Sequence, residues 1–213
     1  MPVLSSINQK FLLQTARKSI AYYLKTGNYL ALNMKSFRRS EGGEISKKET
    51  GFLVANAPRN DRSESNQQAA ELFIKRACFV TLYQNKNLRG CIGTFDANKP
   101  LIQNVLKMSV SAAFYDSRFP KVQEKELPQI QISLSVLGEL QKMNSLEELV
   151  LGQHGIFVKH ETKSGTFLPE VATEQGWTKE KFINYCIVEK AGLSPELASD
   201  VEIYLYEVEK FSE

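Results

Sequence analysis

Cys78-Phe79-Val80-Thr81-Leu82-Tyr83, then Asn85-Lys86-Asn87, then Leu88-Arg89-Gly90-Cys91-Ile92-Gly93 is the stretch on which the fold turns. The first run is rich in β-branched and aromatic residues, the composition of a strand. The middle residues form turns, and the third run can return as far as Thr94, so the whole reads as a β-hairpin. Its second arm packs an arginine, a thiol and two glycines into six residues. Glycine lets a backbone bend sharply or approach a neighbour closely. Arg89 lies two residues from Cys91 and in a regular strand shares its face. A nearby cation lowers a thiol pKa and makes it a nucleophile. Cysteine is also a routine small core residue, so Cys91 carries both readings.

On the N-terminal side, Ser6 and Gln9 have capping-box spacing. Ile7, Phe11, Leu12, Ala16, Ile20, Tyr23 and Leu24 form a helical stripe that Gly27 can stop. Residues 34–68 are polar and irregular around a short apolar island at 51–55, and a helix resumes over residues 67–75. On the C-terminal side, Pro100 suits a first helical position, with Asn98 just outside it. Leu101, Ile102, Val105, Leu106, Met108, Ala112 and Ala113 make that helix's buried face. Ile130, Ile132, Leu134 and Val136 alternate with Gln131, Ser133 and Ser135, the pattern of a half-buried strand. Ser145 and Glu148 predict a second capping box. A second hairpin is expected around Lys163-Ser164-Gly165, a helix capped by Thr178 and stopped by Gly192, and a final strand over residues 201–208. Hairpins outnumber parallel crossovers, which predicts an α+β fold of mainly antiparallel sheets flanked by helices.

The chain has 213 residues, 42% of them hydrophobic, and a net charge of +3. That size supports a substantial core. The mild basicity permits an anionic ligand without the dense patch that nucleic-acid binding calls for. Cys78, Cys91 and Cys186 are odd in number and unpaired in spacing, which points to a reducing compartment and cytoplasmic residence. The N-terminus lacks a signal-peptide pattern, and no apolar run reaches membrane-spanning length.

Asp116 and Arg118 stand two apart before Phe119-Pro120. Such a pair holds an anionic ligand through a planar fork or clamps its own loop. His154, beside Gly152 and Gly155, reads as a pocket base or a solvated turn histidine. His154 and His160 lack metal-ligand spacing, so no metal is expected. Gly90 and Gly93 make no dinucleotide fingerprint or phosphate loop.

Three blocks resemble the AMMECR-one domain family. The first is Phe79-Val80-Thr81-Leu82 leading into Leu88-Arg89-Gly90-Cys91-Ile92-Gly93. The second is Asp116-Ser117-Arg118-Phe119-Pro120, similar to that family's Asp-Pro-Arg-Phe-Pro loop. The third is Thr166-Phe167-Leu168-Pro169-Glu170-Val171-Ala172 with Glu174-Gln175-Gly176-Trp177; His154-Gly155-Ile156 fits between them. The likeness covers about residues 8–210. It implies two subdomains with a cleft between them, the larger built from N- and C-terminal parts and the smaller from part of the middle. It also implies genomic company with Memo-like and radical SAM proteins, and hence a metabolic or modification pathway. Ser117 and Lys121 stand where the family commonly has proline.

The expected function is binding of a small anionic ligand or substrate in that cleft. Arg89, Gly90, Gly93, Arg118, His154 and Thr166 are the binding residues, with Cys91 and Asp116 as the catalytic candidates; the cofactor is left open. A non-catalytic adaptor with a protein partner is the second reading, and nucleotide or nucleic-acid binding the third. No membrane partner is expected.

Overall fold

The computed structural model describes residues 3–31, 70–194 and 200–213. The loops and apolar island expected over residues 34–68 lie outside them, as does the start of the helix expected from residue 67; residues 70–73 are helical. The chain forms two compact units, Pro2–Ser135 with Lys210–Glu213, and Val136–Glu209. Among the described residues there are two four-stranded sheets, ordered β2-β1-β3-β8 and β4-β7-β5-β6, giving the α+β architecture read from the sequence.

In the first unit, α1 (Ser6–Thr26) ends where the sequence indicates. Gly27 takes a left-handed φ of 69° and its N–H returns to the Tyr23 carbonyl. Its start differs from expectation. No Ser6–Gln9 box forms; Ser5 precedes the helix, and its N–H and hydroxyl both donate to Glu71. Phe11, Leu12, Ala16 and Ile20 are buried as expected, but the buried face is broader than the stripe, with Asn8, Thr15 and Ser19 inside and Ile7 exposed. Buried Asn8 is satisfied by Glu71 at 2.6 Å, and Ser19 donates to Leu106 O at 3.0 Å, tying α1 to the next helix.

β1 (Cys78–Gln84) and β2 (Asn87–Thr94) form the expected hairpin. Its turn is only Asn85-Lys86, both at positive φ (51° and 65°), the conformation whose twist matches a tight hairpin. α2 (Leu101–Phe114) begins after Pro100 and packs on β1, β2 and α1. Asn104 fixes its first turns by donating to the Arg76 and Asp96 carbonyls. Gly90 is needed here: a Cβ would fall 2.2 Å from the Ala112 carbonyl oxygen.

β3 (Ile130–Leu137) sits where the alternation places it, but it is not half-buried. Ser133 and Ser135 are buried as well as the aliphatic residues, and only Gln131 is exposed. A small hydroxyl side chain fits a covered inner strand, so the period reported the strand and misreported its second face. The expected final strand is two: β7 (Glu202–Tyr206) and β8 (Val208–Ser212) belong to different sheets. Arg17 closes the end of β8 by pairing with Glu213 and donating to the Leu127 and Ile130 carbonyls.

The second unit holds β4 (Gln141–Lys142), β5 (Gly155–His160), β6 (Lys163–Phe167) and β7, with short helices α3 (Pro169–Glu174) and α4 (Lys179–Tyr185). The β5–β6 turn falls two residues earlier than expected, with Glu161 at φ 49°, and Lys163-Ser164-Gly165 lies within β6. Gly165 serves packing rather than turning, because a Cβ there would meet Ala191 N at 2.5 Å. Thr178 caps α4 by accepting from Lys181 N. Ser145 makes no side-chain cap and opens a 3-10 turn, Leu146–Glu148. Past α4 the chain widens into a π turn, Cys186–Lys190, stopped by Gly192 at φ 62°. Leu149, Ile156, Val158, Phe167, Phe182, Cys186 and Leu205 form the apolar core.

Candidate functional site

β2 is an edge strand, so one row of its backbone groups has no neighbouring strand. At Cys91 side chains supply what a strand would. The Cys91 N–H donates to Asp116 Oδ2 at 2.8 Å, and the Cys91 carbonyl accepts from an Arg118 terminal nitrogen at 3.1 Å. Arg118 also clasps Asp116 in a fork, from Nε at 2.9 Å and the same terminal nitrogen at 2.7 Å. Because the Cys91 backbone bonds point outward, Thr81 and Cys91 face one another as a pair with close side chains. Thr81 Oγ1 lies 3.3 Å from Cys91 Sγ.

Burial and charge follow from this clasp. The Asp116 side chain is only 3% exposed, while that of Arg118 is 57% exposed. The Arg118 hydrogen bonds first, then the Cys91 and Arg118 backbone N–H groups, hold the Asp116 carboxyl at about 2 against the cost of burial. Asp116 is therefore an anion at neutral pH. The bond to Asp116 raises the Arg118 pKa above its ordinary value, with a smaller upward contribution from the Cys91 thiol. The guanidinium carbon stands 5.5 Å from the Phe119 ring centroid. Its second terminal nitrogen has no hydrogen-bond partner among the described residues.

Arg89 lies apart from that arrangement. The pairing slips between Leu82 and Tyr83, leaving Arg89 as the extra residue of a bulge. The alternation that would set it beside Cys91 is interrupted. Its guanidinium forks onto Glu126 at 2.9 and 3.2 Å and donates to the Pro120 carbonyl at 2.8 Å. Arg89 thus pins the far end of the loop whose near end Asp116 ties to β2. Gly90 faces α2, and Gly93 lies under the Phe79 ring.

His154 and Thr166 belong to the second unit, and their hydrogen bonds stay within it. His154 Nδ1 accepts from Val150 N at 3.2 Å. Thr166 Oγ1 donates to Ile156 O at 2.8 Å and lies 2.7 Å from the hydroxyl of buried Tyr206. Cys78 and Cys186 are buried, and burial pushes both thiols up to about 12. Among the described residues no cluster of His, Cys, Asp or Glu is placed to hold a metal ion. No described helix is long and apolar enough to cross a membrane. A groove of about 540 Å³ beside Lys10, Leu13 and Phe211 holds none of the candidate residues.

Sequence reasoning missed Thr81, Glu126, Phe79 and Phe95 as neighbours of the candidates. Counting back from a two-residue turn at Asn85-Lys86 sets Thr81 opposite Gly90; the bulge at Arg89 shifts the register by one and brings Cys91 opposite it. Nothing local signals Glu126.

An antiparallel α+β chain whose edge strand is closed by an Asp-x-Arg loop is the class that fold and site define. Residues 13–211 match the AMMECR1 family, and the chain belongs to it. Among its relatives, Protein MK0488 of Methanopyrus kandleri is 32% identical, over 96% of this chain and 87% of that one. Protein MJ0810 of Methanocaldococcus jannaschii is 39% identical, over 65% of this chain and 74% of its own length. The crystal structure of the uncharacterized protein PH0010 from Pyrococcus horikoshii superposes with a TM-score of 0.76. It is 27% identical and covers 99% of this chain and 93% of that one.

Proposed function

We infer that the protein binds a small anionic molecule at Arg118, next to the Cys91 thiol. The observation that carries this is the second terminal nitrogen of Arg118, held by Asp116 in a half-exposed guanidinium and without a partner among the described residues. A cation pre-oriented by a buried carboxylate loses little side-chain entropy on meeting an anion. Asp116 orients Arg118 and, as a strongly acidic carboxylate, is a poor proton acceptor. Cys91 is the reactive group. Arg89 braces the loop, Gly90 and Gly93 let neighbours approach, and His154 and Thr166 have no part in this reading.

A thermal-shift screen of native protein against small carboxylates, phosphates and sulfonates tests it. An anion at one hundred times its Kd adds about 2.7 kcal/mol of stability. That gain is expected to vanish in Arg118→Ala and to slow maleimide labelling of Cys91 in the wild type. Hits that survive Arg118→Ala unchanged, or a panel with no hit, overturn the assignment.

One observation favours an adaptor instead. Tyr115, Tyr29 and Tyr22 are 54%, 47% and 40% exposed, and Tyr115 and Tyr29 both pack on Tyr23 or its hydroxyl near the C-terminal ends of α1 and α2. Exposed tyrosines are favoured at protein interfaces. A pulled-down partner released by Tyr115→Ala and indifferent to Arg118→Ala would favour this reading.

A further inference from the structure

The face of the β1–β2 hairpin turned away from α2 carries more than a thiol. Gly90 and its pairing partner Leu82 lie on the α2 side. Register sets Cys91 opposite Thr81 and Gly93 opposite Phe79, and strand alternation puts those four on the other face. There the Phe79 ring lies directly on the Gly93 backbone, since a Cβ on residue 93 would fall 2.2 Å from its Cδ1. Phe95 meets the ring edge-on, with centroids 5.6 Å apart. Phe79, Phe95 and Cys91 are all half-buried. Two strand steps separate Cys91 from Gly93, about 7 Å, the span of one small ring with a substituent.

We propose that the anion taken at Arg118 carries a flat aromatic or heteroaromatic body that lies over Phe79 and presents its reactive end to Cys91. This rests on the Arg118 reading above. Arg118 selects the charge, and Phe79, held down by the missing side chain at Gly93, selects the ring. Such aromatic pairs contribute about 0.5–1.5 kcal/mol beyond the area they cover. An aliphatic anion of the same charge gains nothing from Phe79.

Four disulfide reagents separate the two selections: dithiobis(nitrobenzoate), an aromatic dianion; dithiodipyridine, aromatic and neutral; dithiodiglycolate, an aliphatic dianion; and dithiodiethanol, aliphatic and neutral. In each case the Cys91 thiolate attacks one sulfur, a protein mixed disulfide forms and the other half leaves as a thiolate. Rates on folded protein, assigned to Cys91 by peptide mapping, are divided by the rate of each reagent with N-acetylcysteinamide. After that correction the aromatic dianion is expected to react about tenfold faster than the aliphatic one, the upper end of an aromatic pair. Phe79→Leu and, independently, Gly93→Ala remove that advantage and keep the preference for anions. Arg118→Ala does the reverse. Equal corrected rates for the two dianions, or a full aromatic advantage in folded Phe79→Leu, overturn the proposal alone. A missing preference for anions overturns the Arg118 reading, and a thiol silent to all four reagents overturns both.

Discussion

The β1–β2 hairpin of the first unit and the β5–β6 hairpin of the second are built alike and finished differently. Each presses a glycine against a neighbouring backbone: Gly90 on the Ala112 carbonyl, Gly165 on Ala191 N. In the second hairpin the polar groups are then consumed internally. Thr166 bonds Ile156 O and meets the Tyr206 hydroxyl, which donates to Phe167 O, and the adjoining cysteine, Cys186, is fully buried. In the first hairpin, the cysteine is half-buried and an arginine beside it keeps one nitrogen without a partner among the described residues. The difference teaches that close glycine packing marks architecture in both units, while a pre-oriented, solvent-facing charge is what the proposed anion site rests on.

The sharpest test of that division is to overpack both hairpins. Gly90→Ala is expected to cost about 3 kcal/mol in urea unfolding, because backbone rather than a side-chain tip stands in the way. Gly165→Ala should cost a similar amount for the same reason. Only Gly90→Ala should alter the Cys91 labelling rate of the protein that remains folded; an equal change in both would break the comparison.

Next in size is Asp116→Ala. It orphans the Cys91 N–H and an arginine, and is expected to destabilise by about 2 kcal/mol. The pH dependence sharpens this. The Asp116 carboxyl is held at about 2, below its ordinary 3.8. Its contribution is therefore complete above the unfolded value and is lost as pH falls through about 2. The gap between wild type and Asp116→Ala should be about 2 kcal/mol larger at pH 5 than below pH 2, followed by denaturant midpoint. A gap that is constant with pH would sink the clasp.

Smaller again is Tyr206→Phe, which removes one buried hydroxyl from the closed hairpin. About 1 kcal/mol is expected by thermal unfolding, with the Cys91 labelling rate unchanged. Thr178→Ala deletes the α4 cap and should cost about 0.5–1 kcal/mol. If it shifted anion binding, the two hairpins would not be functionally separate.

The hairpin that decides the fold was legible because its signals are local: β-branched runs and a turn-forming pair. The helix stops at Gly27 and Gly192 were legible for the same reason. What stayed hidden depends on partners remote in sequence. Arg89 looks like a companion of Cys91 until the bulge diverts it to Glu126, a residue with no local mark. Ser133 and Ser135 read as a wet face because period alone cannot distinguish solvent from a second packed layer. Ser5 was overlooked as the start of α1 because its acceptor, Glu71, lies far down the chain. At the site, Asp116 and Arg118 were visible as a pair, but their role in completing the edge of β2 required the sheet order.

β3 and β8 are hydrogen-bonded neighbours, yet the whole second unit lies between them in sequence. Within that unit the Gly138 N–H already reaches the Glu207 carbonyl at 2.9 Å. A polypeptide that must close so long a loop loses chain entropy in doing so. Once residues 136–209 have folded, their two ends stand side by side, and the remote pairing becomes as local as a hairpin. Folding of the nested segment shortens the loop its host strands must close, so an unfolding lesion deep in its apolar interior is expected to slow formation of the β2-β1-β3-β8 layer in refolding measurements.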